Sequence, residues 1–176
     1  VLGVTGGIAA YKAAAIVSGL KKLHADVRVI ATDVSEQALR LARENVAALG
    51  LDAVVRVIKS DLAAAIPQRY LGRMDAVVSN PPYIPTAVMG ELAPEVADFE
   101  PALALDGGAD GLDVFRRLLP QAEALLKGGG ILACELHETC LDVAAALARE
   151  AGFTDVRTAK DLAGRPRVLL ARKPLG

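Results

Sequence analysis

Residues 27–59, VRVIATDVSEQALRLARENVAALGLDAVVRVIK, decide the fold class because strand-like and helix-like patterns alternate along them. The apolar runs 27–32 and 54–59 are rich in β-branched residues, which is typical of buried strands. The segment between them predicts a helix that Ser35 can cap and that Gly50 can end. One face of this helix is apolar, through Leu39, Ala42, Val46 and Leu49.

The same alternation continues on both sides of this unit. Further strand-like runs occur at 1–5, 74–79, 130–136 and 167–172, with a weaker one at 154–158. Further helical patterns occur at 8–23, 112–127 and 139–151. Buried strands that alternate with amphipathic helices predict a three-layer α/β/α, Rossmann-like fold with a mostly parallel sheet. The last two strand-like runs have only a short turn between them, so we expect a hairpin that places one antiparallel strand near an edge.

Single residues predict local details of this framework. Pro120 lacks a backbone N–H, so we expect it to break or kink the helix over 112–127. Thr139 is a candidate N-cap for the last helix. The interval 80–111 is rich in proline and has little periodicity, and a loop of that length is usually functional or mobile.

The composition predicts a single globular domain over 1–176. Hydrophobic residues make up 53% of the chain, which is enough for a sizeable core. Twenty Lys and Arg face 21 Asp and Glu, and the resulting net charge of −1 argues against capture of nucleic acid or an anionic membrane. Cys134 and Cys140 are too few for a disulfide framework or a metal set, and we find no signal peptide. We therefore expect a cytoplasmic protein without a metal.

Three positions that follow predicted strands are candidates for cofactor binding. Gly6 and Gly7 form a turn before the first helix, where free amides attract phosphate, although such turns also need glycine for structural reasons. Asp33 follows the second strand, where a carboxylate can accept both hydroxyls of a ribose; alternatively, it belongs to the turn before Ser35. Asp61 follows the third strand and either hydrogen-bonds an adenine amino group or caps a helix.

The motif Asn80-Pro81-Pro82-Tyr83, after the fourth strand, is the most specific signal in the chain. Successive prolines hold the backbone extended and leave carbonyls without competing amides. The Asn80 side-chain oxygen and the Pro81 carbonyl can then accept both hydrogens of a planar NH2 group, which aims its nitrogen at an electrophile. Tyr83 offers a ring face to a flat substrate or to a sulfonium charge. Asn80, Pro81 and Tyr83 are therefore the predicted catalytic residues of an active protein.

Residues from about 32 to 173 resemble the S-adenosylmethionine-dependent methyltransferases that modify a glutamine of peptide-chain release factors. The resemblance is carried by Asp33-Val34-Ser35, Ser60-Asp61-Leu62, Asn80-Pro81-Pro82-Tyr83, the run from Asp106 to Leu112 and the run from Asp161 to Val168. It implies that S-adenosylmethionine binds with its ribose on Asp33 and its adenine near Asp61. It implies a release factor as the partner, with the substrate amide on Asn80 and Pro81 beside Tyr83. It also implies the sheet order 3-2-1-4-5-7-6, with strand 7 antiparallel.

Residues 1 to about 31 lack the acidic residue and the Gly-x-Gly-x-Gly turn that this family has after its first strand. The stretch from Val4 to Lys12 resembles instead the opening of the flavin-binding decarboxylases of the phosphopantothenoylcysteine type. That resemblance implies flavin mononucleotide or phosphate near Gly6 and Gly7, and it makes a flavodoxin-like order, 2-1-3-4-5, the alternative topology.

Two resemblances in one chain favour an engineered or recombined chimera, joined near Thr32-Asp33, that folds but does not catalyse. A foreign strand-helix-strand unit can keep the core intact, whereas loss of the glycine turn removes contacts to the methyl donor. The alternatives are a residual S-adenosylmethionine-dependent methyltransferase acting on a glutamine amide, and a module that binds flavin mononucleotide or phosphate at the N-terminal turn.

Overall fold

A computed structural model of the chain describes residues 2–5, 17, 19, 26–91 and 101–176. A seven-stranded sheet forms its centre, in the order β3-β2-β1-β4-β5-β7-β6. The strands are β1 Leu2–Thr5, β2 Val29–Asp33, β3 Val55–Lys59, β4 Met74–Ser79, β5 Leu126–Glu135, β6 Thr154–Lys160 and β7 Pro166–Arg172. Strands β1 to β5 pair in parallel, whereas β7 is antiparallel to both β5 and β6.

This topology confirms the Rossmann-like prediction, including the hairpin at the edge and the antiparallel strand 7. The flavodoxin-like alternative is wrong, because it would pair β1 with β3. In the structure β1 pairs with β2 and β4, and β3 is the edge strand beside β2.

Helices cover the sheet. Those of the described residues are α1 Glu36–Ala48, α2 Ala102–Leu105, α3 Asp113–Leu125 and α4 Leu141–Glu150. The predicted ends of α1 are confirmed: the Ser35 hydroxyl accepts the Ala38 N–H at 3.3 Å, and Gly50 has a φ of 63° just past the last turn. Within the described part of the chain, no helix is long and apolar enough to cross a membrane.

Pro120 does not break α3, because the helix runs through this residue without interruption; the kink stays a prediction. Pro120 removes the hydrogen bond to the Arg116 carbonyl, but both residues are exposed, so water can replace the missing donor. The helix also ends at Leu125 and not at 127, since Leu126 already begins β5 and pairs with Met74.

The predicted cap at Thr139 is also wrong. Thr139 lies inside a single 3-10 turn, Glu138–Cys140, which precedes α4 and places the start of the helix at Leu141. The interval 80–111 is more structured than the sequence indicates, since it contains the 3-10 turn Thr86–Glu91 and the short helix α2. Residues 92–100 within it lie outside the described part.

The core has two clusters, one on each face of the sheet. Val29 of β2 packs in one cluster with Val46 of α1. Val77 of β4 and Leu132 of β5 pack in the larger cluster with Phe115 of α3. The helix expected over 8–23 lies almost entirely outside the described residues, but the helical residue Val17 is fully buried in the first of these clusters.

The central position of Phe115 yields a stability prediction. We expect Phe115→Ala to lower the free energy of unfolding by about 3–5 kcal/mol, because it empties a fully buried site in the larger cluster. Urea denaturation measures the loss. Leu103→Ala is the control, since this side chain is 68% exposed and its removal should cost less than about 0.5 kcal/mol. Equal losses in the two variants would contradict the described core.

Candidate functional site

The candidate site lies where the carboxyl ends of β2, β1 and β4 meet. Thr5 of β1 pairs with Thr32 on one side and with Ser79 on the other. The next residues, Asp33 and Asn80, therefore stand at the same level on either side of the end of β1, about 10 Å apart at the usual spacing of strands. The order of the strands reverses at this point, and doubly wound sheets bind ligands at such a switch point.

The Asp33 carboxyl group is the first candidate at this edge. The residue is only 6% exposed, and its Oδ1 accepts the Ser35 N–H at 2.8 Å. Oδ2 is buried and has no hydrogen-bond partner among the described residues. Burial raises the pKa of Asp33, whereas hydrogen bonds from the N–H groups of Ser35 and Val34 oppose that rise. The local turn thus provides a hydrogen bond to Oδ1, whereas Oδ2 is available to a ligand.

Asn80 provides the second acceptor. Its Oδ1 is buried and, like Asp33 Oδ2, has no hydrogen-bond partner in the described part of the chain. Pro81, which follows, is buried as well. A buried polar atom without a partner costs about 1–3 kcal/mol, so a ligand that donates hydrogen bonds to both positions is favoured. These are the only two such side-chain atoms that the described residues contain, and both belong to residues predicted from the sequence.

The NPPY motif, residues 80–83, is held against the glycine loop, residues 105–112, by close approach of the two backbones. A Cβ added at Gly107 would lie 2.8 Å from the carbonyl oxygen of the second proline. A Cβ added at Gly111 would collide with the carbonyl oxygen of Tyr83, and Gly111 also has a φ of 78°. Only glycine permits both features. The sequence shows three glycines within five residues here, but the sequence alone does not indicate which backbone they approach.

Hydrogen bonds complete the attachment of this loop. Ile84 and Asp106 form a parallel bridge, and the Gly107 N–H donates to the Ile84 carbonyl at 2.8 Å. Asp106 Oδ1 accepts the Thr86 hydroxyl at 2.7 Å and the Gly108 N–H at 2.9 Å. The bond from Thr86 is the main cause that lowers the pKa of Asp106, so this carboxylate stays ionised and acts as a fixed acceptor. The NPPY motif is thereby anchored on the side away from β1.

Asp61 lies near the same edge, but its side chain is exposed and paired. The Ser60 N–H donates to the Asp33 carbonyl at 2.9 Å, which brings Asp61 beside the end of β2. Asp61 Oδ2 accepts a hydrogen bond from the Arg117 guanidinium of α3. A turn follows Asp61, so the predicted helix cap is not formed. The contact to an adenine amino group stays a prediction.

The remaining predicted residues are placed as follows. Tyr83 is half-buried, and the centre of its ring lies 6.3 Å from that of His137. Gly6 and Gly7 lie outside the described residues, so their role in phosphate binding stays a prediction. Across the described ranges, no three His, Cys, Asp or Glu side chains form a group that could hold a metal ion.

The contact between the glycine loop and the NPPY motif yields a second stability prediction. We expect Gly111→Ala to lower the free energy of unfolding by more than Gly164→Ala, by at least about 1 kcal/mol in urea denaturation. Both glycines have a φ near 80°, so both variants suffer the same backbone strain. A Cβ at Gly164 meets no atom within 4 Å, whereas one at Gly111 collides with Tyr83. Equal losses would contradict the described backbone approach.

Sequence comparisons identify relatives of this chain. The family model named methyltransferase small domain matches residues 13–93. A release factor glutamine methyltransferase of Moorella thermoacetica is 48% identical over 145 residues, which cover 82% of this chain and 50% of that protein. One of Deinococcus radiodurans is 44% identical over 163 residues, which cover 92% of this chain and 55% of that protein. The chain thus spans about half the length of the relatives it matches.

The fold is also found in solved structures. One is the N-terminal domain of human METTL16 in complex with SAH, which matches with a TM-score of 0.64 and 19% identity over 98% of this chain and 60% of that chain. At this level of identity the likeness concerns the fold alone.

These matches contradict the hypothesis of a non-catalytic chimera. An alignment of 163 residues in a chain of 176 begins no later than residue 14, and the family match begins at residue 13. Each of these two matches therefore crosses the supposed junction at Thr32-Asp33. Nothing supports a flavin-binding segment before it. The error arose because many α/β families share the strand, crossover, strand unit, so its apolar pattern does not distinguish them. The chain is therefore similar to release factor glutamine methyltransferases over most of its length and has the methyltransferase-like Rossmann fold.

Proposed function

We propose that this chain binds S-adenosylmethionine and directs methyl transfer to the side-chain amide nitrogen of a glutamine in a peptide-chain release factor. The observation that carries the proposal is the pair of buried acceptors without partners, Asp33 Oδ2 and Asn80 Oδ1, on either side of the end of β1. The names of the relatives, release factor glutamine methyltransferases, support the same reaction and the same protein partner.

Asp33 suits the ribose of the cofactor. An ionised carboxylate accepts hydrogen bonds on both oxygens. Oδ2 can take one hydroxyl hydrogen, and Oδ1 has a second lone pair for the other while it keeps its bond from Ser35. Asp61 Oδ1 is the oxygen that we assign to the adenine amino group, since Arg117 contacts Oδ2. When bound, S-adenosylmethionine supplies a methyl group on a positively charged sulfur, which is the electrophile.

Asn80 and Pro81 suit a primary amide. Asn80 Oδ1 accepts one N–H of the glutamine side chain, and the Pro81 carbonyl accepts the other. Two such bonds fix the plane of the NH2 group, so that a face of its nitrogen is presented to the electrophile. The ring of Tyr83 lies against the flat amide and narrows the entrance. Holding the nitrogen in this orientation is a catalytic contribution in itself, because it removes rotational freedom before the reaction.

The acceptor role of Asn80 predicts the behaviour of a truncated side chain. We expect Asn80→Ala to lower kcat/KM for methylation of a release factor by about 100-fold. The loss of one preorganised hydrogen bond in an enzyme active site has an effect of this size. Mass spectrometry of the glutamine-bearing peptide measures the transfer. Asn45→Ala on α1 is the matched control and should leave the rate unchanged. An Asn80→Ala variant with the parent kcat/KM would refute the proposed acceptor site.

The burial of Asp33 predicts opposite effects of one substitution on binding and stability. Asp33→Asn should weaken the binding of S-adenosylhomocysteine at least tenfold in titration calorimetry, because a hydrogen bond to a charged group contributes about 1.5–3 kcal/mol. The same variant without ligand should be more stable than the parent at pH 7. Burial in the folded state raises the pKa of Asp33, so the charged carboxylate costs stability on folding that a neutral Asn does not cost.

The sign of the pH dependence follows from this difference. The free energy of unfolding of the parent falls as pH rises from the ordinary aspartate pKa through the raised one, and Asp33→Asn lacks that decrease. Urea denaturation at a series of pH values measures it, with the exposed Asp52→Asn as the control. The idea fails if Asp33→Asn binds the ligand as tightly as the parent, or if its stability follows pH as the parent's does.

A further inference from the structure

The turn after β5, residues 137–140, lies beside the NPPY motif. Ser79, the last residue of β4, pairs with Cys134 of the neighbouring strand β5. The two strands are parallel, so the segments that follow them emerge side by side at the same edge of the sheet. The turn after β5 is thus a further wall of the site, next to the substrate-amide residues and remote from Asp33.

Two contacts join this turn to the rest of the site. The rings of His137 and Tyr83 lie 6.3 Å apart, centre to centre, with a tilt of 38° between their planes, which is within the range of interacting aromatic pairs. The Cys140 thiol lies 3.7 Å from the Asp110 carbonyl oxygen in the glycine loop. The turn therefore contacts both the NPPY motif and the loop that supports it.

Thr139 fixes the orientation and the tautomer of His137. The Thr139 N–H donates to His137 Nδ1 at 3.4 Å, and the Thr139 hydroxyl lies 2.8 Å from the same nitrogen. A ring nitrogen that accepts an N–H carries no hydrogen itself, so the neutral imidazole has its proton on Nε2. One edge of the ring is thereby bound to the turn, and the ring can rotate little about its side-chain bonds.

We propose that His137 is a positioning residue, which holds the Tyr83 ring against the glutamine amide; this inference rests on the proposed function. The backbone of Tyr83 is fixed by its approach to Gly111, but that contact leaves the side chain free to rotate. The Tyr83 side chain packs in part against the larger hydrophobic cluster, and the imidazole of His137 adds a second restraint on its ring. A Tyr83 ring that stays in place narrows the amide site before the substrate arrives, which lowers the entropic cost of binding.

Two substitutions distinguish the two functions of the His137 side chain, which are the contact of its ring with Tyr83 and the acceptance of the Thr139 N–H. His137→Asn keeps a side-chain acceptor at the start of the turn, a position where Asn is favourable, but removes the ring. His137→Phe keeps a ring beside Tyr83 but removes the acceptor. We expect His137→Asn to raise the KM for a glutamine-bearing release-factor peptide about fivefold, with kcat and the Kd of S-adenosylhomocysteine unchanged. His137→Phe should raise KM less than His137→Asn does, because it keeps a ring beside Tyr83 but loses the bond that holds this ring.

Nuclear magnetic resonance gives a readout that does not depend on activity. The chain has two histidines, so His24→Gln identifies the signals of His137. Long-range nitrogen–proton spectra of the neutral ring should show the proton on Nε2, and the Tyr83 ring signals should shift in His137→Asn.

The outcomes separate this inference from the proposed function. A proton on Nδ1, unshifted Tyr83 signals, or an equal rise of KM in the Asn and Phe variants would overturn the role of His137 while methyl transfer by the parent still occurs. A parent protein that methylates no release-factor glutamine would overturn the proposed function, and the positioning role would fail with it.

Discussion

The parallel register across β2, β1 and β4 is the constraint on which the site depends. Pairing of Thr5 with Thr32 and Ser79 brings Asp33 and Asn80 to the same level on either side of one short strand. Side chains alternate between the two faces of a sheet, so a slip of one residue in either pairing would turn one of these groups away. The hydrogen bonds that hold the sheet together therefore also set the distance between the two acceptors.

The features that oppose stability are concentrated at this edge. Two buried oxygens lack partners there among the described residues, burial disfavours the charged form of Asp33, and Gly107 and Gly111 are required by backbone crowding. The larger hydrophobic cluster, by contrast, consists of buried apolar side chains, most of them on α3, α4 and the strands they cover. Such a division is typical of binding sites, where local rules are broken and the surrounding core compensates.

The sequence predicted the framework well because hydrophobic periodicity reports burial directly. It also placed Asp33 and Asn80 at the carboxyl ends of β2 and β4, since a polar residue at the end of a buried strand has its position set by the strand. It failed where tertiary contacts decide. The continuity of α3 at Pro120 depends on exposure to water, and the role of Gly111 depends on a backbone from another segment. The flavin assignment failed because it rested on a unit that many α/β families share.

The central position of β1 has a consequence for the order in which this protein assembles on the ribosome. β2, α1 and β3 are consecutive in the chain and can pair locally as soon as they emerge, whereas Leu2 must wait for its neighbour Ala76. Contacts between such distant residues form late, since a long loop has to close first. A nascent chain that stalls before β4 would therefore leave β1 paired with β2 on one side and unpaired on the other, and this open edge would be a target for chaperones or for aggregation.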